Sequence, residues 1–187
     1  MGGIYSAIQG LNFAAYEATQ KLSSPLVYHI MSYVVESYLV ILPIIMLYLL
    51  YKKDRNVFSF AVAGFVLYLI GEILKMIIQE PRPCSLQGLQ YIHTYCDTGY
   101  SFPSNHATVL TGLALFINYR YLKILYILWV ILLLFGKILL AQHYLTDILA
   151  GVIISLVVAR LLKIYSKQIN DTLAMIFNRI LGKIYKI

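Results

Sequence analysis

The sequence predicts an all-α membrane protein, a polytopic helical bundle with five transmembrane helices and amphipathic ends, or six if the N-terminus also crosses. Of the 187 residues, 60% are hydrophobic and only 12% are charged, whereas soluble domains contain about 25% charged residues. The charges fall in short clusters between long apolar runs, as in multi-pass membrane proteins. The net charge of +7 would suit nucleic acid only if it formed a basic face or stripe, so we exclude a nucleic-acid partner.

Two amphipathic segments flank a membrane domain. In residues 1–25, apolar residues at helical spacing predict a helix lying in the membrane interface: Ile4, Ile8, Leu11, Ala15, Ala18 and Leu22. The membrane domain covers residues 26–165, with spans expected at about 26–51, 57–78, 103–119, 124–140 and 148–164. Residues 166–187 form a basic amphipathic tail with its own stripe: Ile169, Leu173, Ile176, Ile180 and Ile184. The third span is short beside the about 20 residues that a bilayer core requires, so it must extend into its flanks.

The distribution of positive charge predicts the orientation in the membrane. If the loop after the first span is cytoplasmic, only Lys21, Lys75, Arg82 and Lys137 lie on the outer side. This asymmetry fits the positive-inside rule in one orientation only. The rule does not explain Lys75, Arg82 and Lys137, which stand near the ends of spans. We therefore expect a polar site on the extracytoplasmic face of the cell membrane.

The outer ends of the spans also carry the side chains of acid–base chemistry. Ser104, Asn105 and His106 open the third span, and His143 and Asp147 lie where the fourth span leads into the fifth. Ionisable residues at membrane depth are costly, and their default interpretation is functional. On a helix His143 and Asp147 would share a face, so the carboxylate could hold the imidazole in one tautomer.

Together these residues predict phosphoryl transfer without a metal. Lysine and arginine neutralise and orient a phosphate, and the N–H groups and Ser104 hydroxyl at a helix start suit an anion. A second imidazole, His106, can protonate a leaving oxygen.

Each of these residues also has an ordinary structural explanation. His143 and Asp147 could make a hydrogen bond at a helix start, Lys75 could pair with Glu72, and Lys137 could extend to the headgroups. These explanations treat the residues singly. They do not explain why the residues gather on one face at adjacent span ends.

Three motifs in this order and spacing resemble the signature of the type-2 phosphatidic acid phosphatase superfamily, which also contains vanadium-dependent haloperoxidases. The signature is Lys, six residues, Arg-Pro; then Pro-Ser-Gly-His; then Ser-Arg, five residues, His, three residues, Asp. "KMIIQEPRP" matches the first part, and "PSNH" matches the second with Asn105 in place of Gly. "GKILLAQHYLTD" matches the third in spacing, with Gly136 and Lys137 in place of Ser-Arg. The resemblance covers roughly residues 26–165.

The resemblance implies a role for each matching residue. His143 is the nucleophile that forms a phosphohistidine, Asp147 orients it, and His106 is the acid for the leaving group. The phosphate-binding groups are Lys75, Arg82, Ser104, the backbone N–H of Asn105, and Lys137. No metal and no cofactor are implied. Asn105 keeps its backbone N–H and tolerates strained turns. Lys137 is the larger change, because the compact ammonium of lysine replaces the planar guanidinium of arginine.

A looser resemblance indicates the substrate. The stretch "LSSPLVYHIMSYVVESYLVILP" is similar to the start of undecaprenyl-diphosphate phosphatases, which favours hydrolysis of a polyprenyl diphosphate to recycle a glycan carrier lipid. The partners would then be a lipid phosphate or diphosphate and the surrounding membrane lipids, with the oligomeric state left open. Phosphatidylglycerophosphate or phosphatidic acid is the alternative substrate. The same residues would also fit a lipid phosphotransferase, or a non-catalytic membrane protein that retains the anion site.

The only two cysteines, Cys84 and Cys96, both fall in the polar stretch beside the expected site. Outside the cytoplasm a disulfide between them would persist. Two free thiols are the alternative.

Overall fold

The described part of the chain is helical. The computed structural model describes residues 2–22, 24–85, 96, 99–182 and 184, without the side chains of residues 2–7 and 181. These residues form α1 (Gly2–Gln20), α2 (Pro25–Glu36), α3 (Tyr38–Tyr51), α4 (Asn56–Ile78), α5 (Asn105–Leu113), α6 (Arg120–Leu139), α7 (Leu145–Ile164) and α8 (Ser166–Leu181), with 3-10 turns at Pro83–Ser85 and Ala114–Phe116. The predicted all-α class is confirmed.

Four helical segments of the described chain are long and apolar enough to cross a membrane: Pro25–Tyr51, Asn56–Ser85, Arg120–Leu139 and Leu145–Ile164. The first consists of α2 and α3, which only Ser37 separates. The four segments coincide with the first, second, fourth and fifth predicted spans. Large apolar side chains such as Leu47, Ile77 and Ile153 lie exposed along them, as expected for surfaces that face lipid. The protein is a multi-pass membrane protein.

The predicted third span is shorter than a full membrane crossing. It forms α5, a helix of 9 residues, and the 3-10 turn that follows. This element lies between α4 and α7, and Ala107, Leu110 and Leu113 are buried in the common core. Because protein rather than lipid surrounds α5, it does not need the about 20 residues of a lipid-exposed span.

The C-terminal helix α8 docks on the start of α4 through polar residues. Asn170 Oδ1 accepts hydrogen bonds from the backbone N–H of Ser59 at 2.9 Å and from its hydroxyl at 2.5 Å. Arg55 pairs with Asp171 at 2.6 Å. Ile176 and Ile180, from the predicted apolar stripe, are exposed. Placement of this face in the membrane interface stays a prediction.

The N-terminal helix α1 packs against α6 and α7. Its predicted apolar stripe faces away from the protein, since Ile8, Leu11 and Leu22 are 41%, 49% and 62% exposed. Asn12 and Thr19 are buried instead. The side chain of Ile4, from the same stripe, lies outside the described residues. An interfacial position for α1 stays a prediction.

Candidate active site

Four helix ends meet at one end of the bundle. The last turns of α4 and α6 carry Lys75 and Lys137, and the first turns of α5 and α7 carry His106 and Asp147. The starts of α5 and α7 approach closely at Gly151, where a Cβ atom would lie 2.9 Å from the carbonyl oxygen of Ser104. The Ser104 N–H also donates to the Asp147 carbonyl at 3.2 Å. The structure therefore brings together the residues that the sequence motifs single out.

His143 lies just before α7, in the turn that follows α6, and not on a helix as the spacing to Asp147 suggests. Its Nδ1 is 3.4 Å from Asp147 Oδ2, and its Nε2 is 3.4 Å from Arg82 Nη1. The turn is held by hydrogen bonds of 3.0 Å and 3.2 Å from the Gln142 and His143 N–H groups to the Lys137 carbonyl. This geometry directs Nδ1 at the carboxylate and Nε2 towards the cations.

Asp147 is fully buried and held from two sides. Its Oδ2 accepts from the backbone N–H of Tyr144 at 2.8 Å and from the Ser101 hydroxyl. Ser101 Oγ also lies 3.4 Å from His143 Nδ1. The carboxylate therefore cannot rotate freely, and it fixes the orientation of the imidazole. Sequence reasoning missed Ser101, whose only signal was a hydroxyl three residues before Ser104.

Burial controls the protonation of His143. It lowers the pKa of His143 to about 4, and the hydrogen bond to Asp147 opposes this shift only in part, while Arg82 lowers the pKa further. The imidazole is therefore neutral at neutral pH. With the proton on Nδ1 beside Asp147, the lone pair of Nε2 is available for attack on a phosphorus atom.

Three cations are buried at this end of the bundle, with 7%, 7% and 4% exposure for Lys75, Arg82 and Lys137. Lys75 Nζ donates to the Tyr100 carbonyl at 2.6 Å. Arg82 donates through Nε to the Gly99 carbonyl at 2.9 Å and through Nη1 to the Gln142 carbonyl at 3.0 Å.

Lys137 Nζ donates to the Gln142 side-chain oxygen at 2.7 Å. These carbonyl and amide oxygens position the three cations, and lysine and arginine side chains gathered in this way suit the binding of a phosphate.

The start of α5 supplies the remaining predicted groups. Ser104 is buried and caps the helix, accepting from the Ala107 N–H at 3.5 Å. The first backbone N–H groups of a helix have no partner within it, so those of Asn105 and His106 are available to an anion. His106 packs edge-on against Tyr38, with ring centroids 4.7 Å apart. Its Nε2 is buried without a hydrogen-bond partner among the described residues, as suits an atom that awaits a substrate oxygen.

The Asn105 side chain makes a contact that the sequence did not reveal. Its Nδ2 donates to Glu72 on α4. Its Oδ1 is buried without a hydrogen-bond partner in the described part of the chain and lies against Gly71, where a Cβ atom would be 2.1 Å away. Glu72, which the sequence suggested as a partner for Lys75, therefore positions Asn105.

A disulfide joins Cys84 and Cys96 beside the site, with sulfurs 2.02 Å apart. The Cys84 N–H also donates to the carbonyl of Ala141 at 3.1 Å. This hydrogen bond ties the segment that carries Arg82 to the turn that carries His143, and the disulfide ties the same segment to Cys96. Among the described residues, no group of three or more His, Cys, Asp or Glu side chains could hold a metal ion.

Comparisons with known proteins concern the family and the fold. The model of the PAP2 superfamily matches residues 56–171, which is more than half of the chain. The undecaprenyl-diphosphatase BcrC of Bacillus subtilis is 25% identical over 188 residues, which cover 98% of this chain and 94% of that protein. An undecaprenyl-diphosphatase of Sulfolobus acidocaldarius is 28% identical over 114 residues, 59% of this chain. The match spans only 55%, about half, of that relative's length.

Two solved structures share the fold. A transmembrane PAP2-type phosphatidylglycerolphosphate phosphatase of Bacillus subtilis aligns with a TM-score of 0.67 at 21% identity, covering 87% of each chain. The structure of Aquifex aeolicus LpxE aligns with a TM-score of 0.72 at 19% identity, covering 83% of this chain and 96% of that one. Both likenesses concern the helical bundle and its connectivity.

Proposed function

The chain belongs to the PAP2 superfamily, and on that premise we propose that it hydrolyses a polyprenyl diphosphate through a phosphohistidine on His143. One observation carries this proposal. A buried neutral imidazole directs Nδ1 at Asp147 and Nε2 at Arg82, and Lys75 and Lys137 are buried at the same end of the bundle. That is the arrangement required of a nucleophile that attacks a phosphoryl group.

The terminal phosphoryl group binds between Lys75, Arg82 and Lys137, with the N–H groups at the start of α5 as further donors. Nε2 of His143 then attacks the phosphorus, and the bond from phosphorus to the bridging oxygen breaks. The polyprenyl monophosphate leaves, with His106 placed to donate a proton to the departing oxygen. Asp147 stabilises the imidazolium without taking its proton.

Water completes the reaction in a second step. It attacks the phosphohistidine and gives a proton to His106, which regains the proton lost in the first step; the bond from Nε2 to phosphorus breaks, and inorganic phosphate is released. The same cations stabilise the charge that develops on the phosphoryl oxygens in both steps. This chain supplies Lys137 where the family signature has Arg, so a point charge takes the place of a bidentate fork.

Two observations support the choice of a polyprenyl diphosphate. The two relatives described above carry the name undecaprenyl-diphosphatase, and one of them aligns over 98% of this chain. The site also lies at the ends of membrane helices, which is the depth of a lipid headgroup. Phosphatidylglycerophosphate and phosphatidic acid are the competing substrates in the test below.

We further infer that the site faces the outside of the cell membrane. The opposite end of the bundle carries the basic clusters, with Arg55 before α4, Arg120 at the start of α6 and Lys163 at the end of α7. Positive clusters favour the cytoplasmic side. The disulfide beside the site is also typical of a non-cytoplasmic environment.

The test is phosphate release from undecaprenyl diphosphate by detergent-purified protein in EDTA. We expect His143→Ala to lower the rate by at least about 10³-fold, the scale of losing a nucleophile. His29→Ala, which removes an exposed imidazole from α2, is the matched control and should keep the wild-type rate. Equal yields of inorganic phosphate and lipid monophosphate would identify water as the acceptor.

Three results would each favour a different function. A faster reaction on phosphatidylglycerophosphate or phosphatidic acid would reassign the substrate. Phosphate that appears on an added glycan acceptor instead of in solution would indicate a phosphotransferase. A folded protein that releases no phosphate from any of these lipids would refute the proposal in favour of a non-catalytic role.

A further inference from the structure

An apolar cavity of about 100 Å³ lies between α1 and the active site. Gln9, Phe13 and Tyr16 of α1 form one wall, and Ile138 and Leu145 form the other. His143 also lines the cavity, so the cavity adjoins the imidazole that we propose as the nucleophile.

The helix that closes this cavity is held firmly in place. Asn12 is buried, and its Nδ2 donates to Thr146 Oγ1 at 3.0 Å while its Oδ1 accepts from the Thr146 N–H at 3.1 Å. Gln20 Nε2 donates to the carbonyl of Leu139 at 3.0 Å. Because Thr146 directly precedes Asp147, α1 is anchored on the same turn that orients His143.

The α1 wall of the cavity lies outside the residues that the family model matches. The PAP2 superfamily model matches residues 56–171, and α1 ends at Gln20. The apolar residues Ile8, Leu11 and Leu22 face away from the bundle, while Gln9 and Tyr16 line the cavity. The helix therefore has one face directed at the surroundings and another directed at the active site.

We propose that this cavity binds the first isoprene unit of a prenyl diphosphate, the five-carbon group next to the diphosphate. This inference rests on the proposed function and specifies the substrate chemistry of the same site. By comparison with a cavity of about 150 Å³ that holds benzene, its volume accommodates roughly four or five carbon atoms. The apolar lining suits a branched hydrocarbon attached directly to the phosphate.

A glycerolipid fits the same cavity poorly. Next to its phosphate stands a glycerol unit with ester oxygens, and polar atoms buried without hydrogen-bond partners are unfavourable. The cavity lining is mostly apolar although Gln9 and Tyr16 contribute to it, and the side-chain amide of Asn12 is already paired with Thr146. The cavity thus selects prenyl diphosphates over glycerolipid phosphates at the first carbons of the chain, before the remainder enters the bilayer.

A pair of tryptophan substitutions on α1 tests this assignment. Gln9→Trp places an indole in the cavity wall. Gly10→Trp adds the same indole one residue further, where a Cβ atom would meet no atom within 4 Å. We expect Gln9→Trp to lower kcat/KM for farnesyl diphosphate by at least about tenfold, the scale on which a hydrophobic pocket discriminates between ligands differing by a methylene.

The Gly10→Trp variant is the control for the effect of an added indole on α1. Gly10→Trp should stay within about twofold of wild type, as expected of a surface substitution. If both variants give the same kcat/KM while wild type is active, the cavity does not hold the prenyl chain. If wild type does not hydrolyse farnesyl diphosphate at all, the proposed function fails instead.

A binding experiment covers the case in which Gln9→Trp does not fold. Geranyl diphosphate with a diazirine in its first five-carbon unit is irradiated with wild-type protein, and the labelled peptides are identified by mass spectrometry. We expect labels on Phe13 or Tyr16, suppressed by unmodified geranyl diphosphate. Labelling confined to helices other than α1, or no suppressible labelling of α1, would overturn the proposal.

Discussion

Replacing Gly71 by Ala should displace the Asn105 side chain, because the two residues occupy the same space. A Cβ atom at position 71 would lie 2.1 Å from Asn105 Oδ1 and 3.1 Å from its Cγ. Atoms of this kind normally stay about 3.5 Å apart or more, so the Asn105 amide must move by more than an ångström. That movement breaks the hydrogen bond from Asn105 Nδ2 to Glu72.

The magnitude follows from two opposing effects. Losing a hydrogen bond to a carboxylate costs about 1.5–3 kcal/mol, whereas Gly to Ala inside a helix stabilises by up to about 1 kcal/mol. We therefore expect Gly71→Ala to lower the free energy of unfolding by roughly 1–2 kcal/mol. For a chain of this length that corresponds to a fall of roughly 2–8 °C in Tm.

A double-mutant cycle with Asn105→Gly isolates the contact. Glycine at position 105, the residue of the family signature, removes the Oδ1 atom that the new methyl group at position 71 would meet. The double variant should then be at least as stable as Asn105→Gly alone, giving a coupling free energy of about 1 kcal/mol or more. The measurements are Tm in detergent and phosphate release, since the displaced amide belongs to the first turn of α5 beside His106.

Gly64→Ala is the matched control on the same helix. Its Cβ atom would lie 3.6 Å from Leu113 Cδ2, an ordinary contact, so this variant should be neutral or slightly stabilised. If the Gly71→Ala and Asn105→Gly effects add to within about 0.5 kcal/mol, the proposed contact between these residues is wrong.

Three further predictions concern single groups. Because the folded-state pKa of His143 is about 4 and the usual value is about 6.5, the unfolded chain binds its proton first as pH falls. Stability is therefore fully present above pH 6.5 and declines towards pH 4 by up to about 3 kcal/mol. Tm measured against pH should fall less in His143→Asn, and equal slopes would contradict this. Lys137→Met should lower phosphate release by about 10²–10³-fold, whereas Lys137→Arg should retain most of it; equal losses would show that position 137 acts by shape and not by charge. Asn170→Ala leaves the buried N–H of Ser59 without its acceptor and should lower the free energy of unfolding by about 1–3 kcal/mol. Chemical denaturation of Asn170→Ala beside Gln168→Ala, an exposed position on α8, measures that cost, and equal stability of the two would contradict it.

The positions of the membrane helices could be predicted because they depend on local hydropathy. The predicted spans at residues 57–78 and 148–164 differ from α4 and α7 by at most three residues at either end. The third predicted span was longer than the helix α5 that forms there, because the length of this helix depends on what surrounds it. Whether α5 faces lipid or protein depends on α4 and α7, and that contact is not encoded in the segment itself.

In the candidate site, too, features within one short segment could be predicted and contacts between distant segments could not. Spacing in the sequence identified His143, Asp147 and the cations, since each motif is a run of neighbouring residues. It could not identify Ser101 as the donor to Asp147 or Glu72 as the partner of Asn105, because these contacts join separate parts of the chain. The apolar stripe of α1 likewise predicts which face of the helix avoids water. It does not predict which residues of the opposite face line a cavity.

In the mechanism that we propose, the geometry also couples substrate binding to the orientation of His143. Lys75 and Arg82 donate to the carbonyls of Tyr100 and Gly99, and the next residue, Ser101, donates to Asp147. A bound phosphoryl group competes with those carbonyls for the two cations. Residues 99–101 thus connect the proposed phosphate-binding cations to the carboxylate beside His143, so we expect displacement of this segment to alter substrate binding and catalysis together. For this reason Ser101→Ala should lower kcat as well as raise KM in the phosphate-release assay, and a change in kcat alone would contradict this coupling.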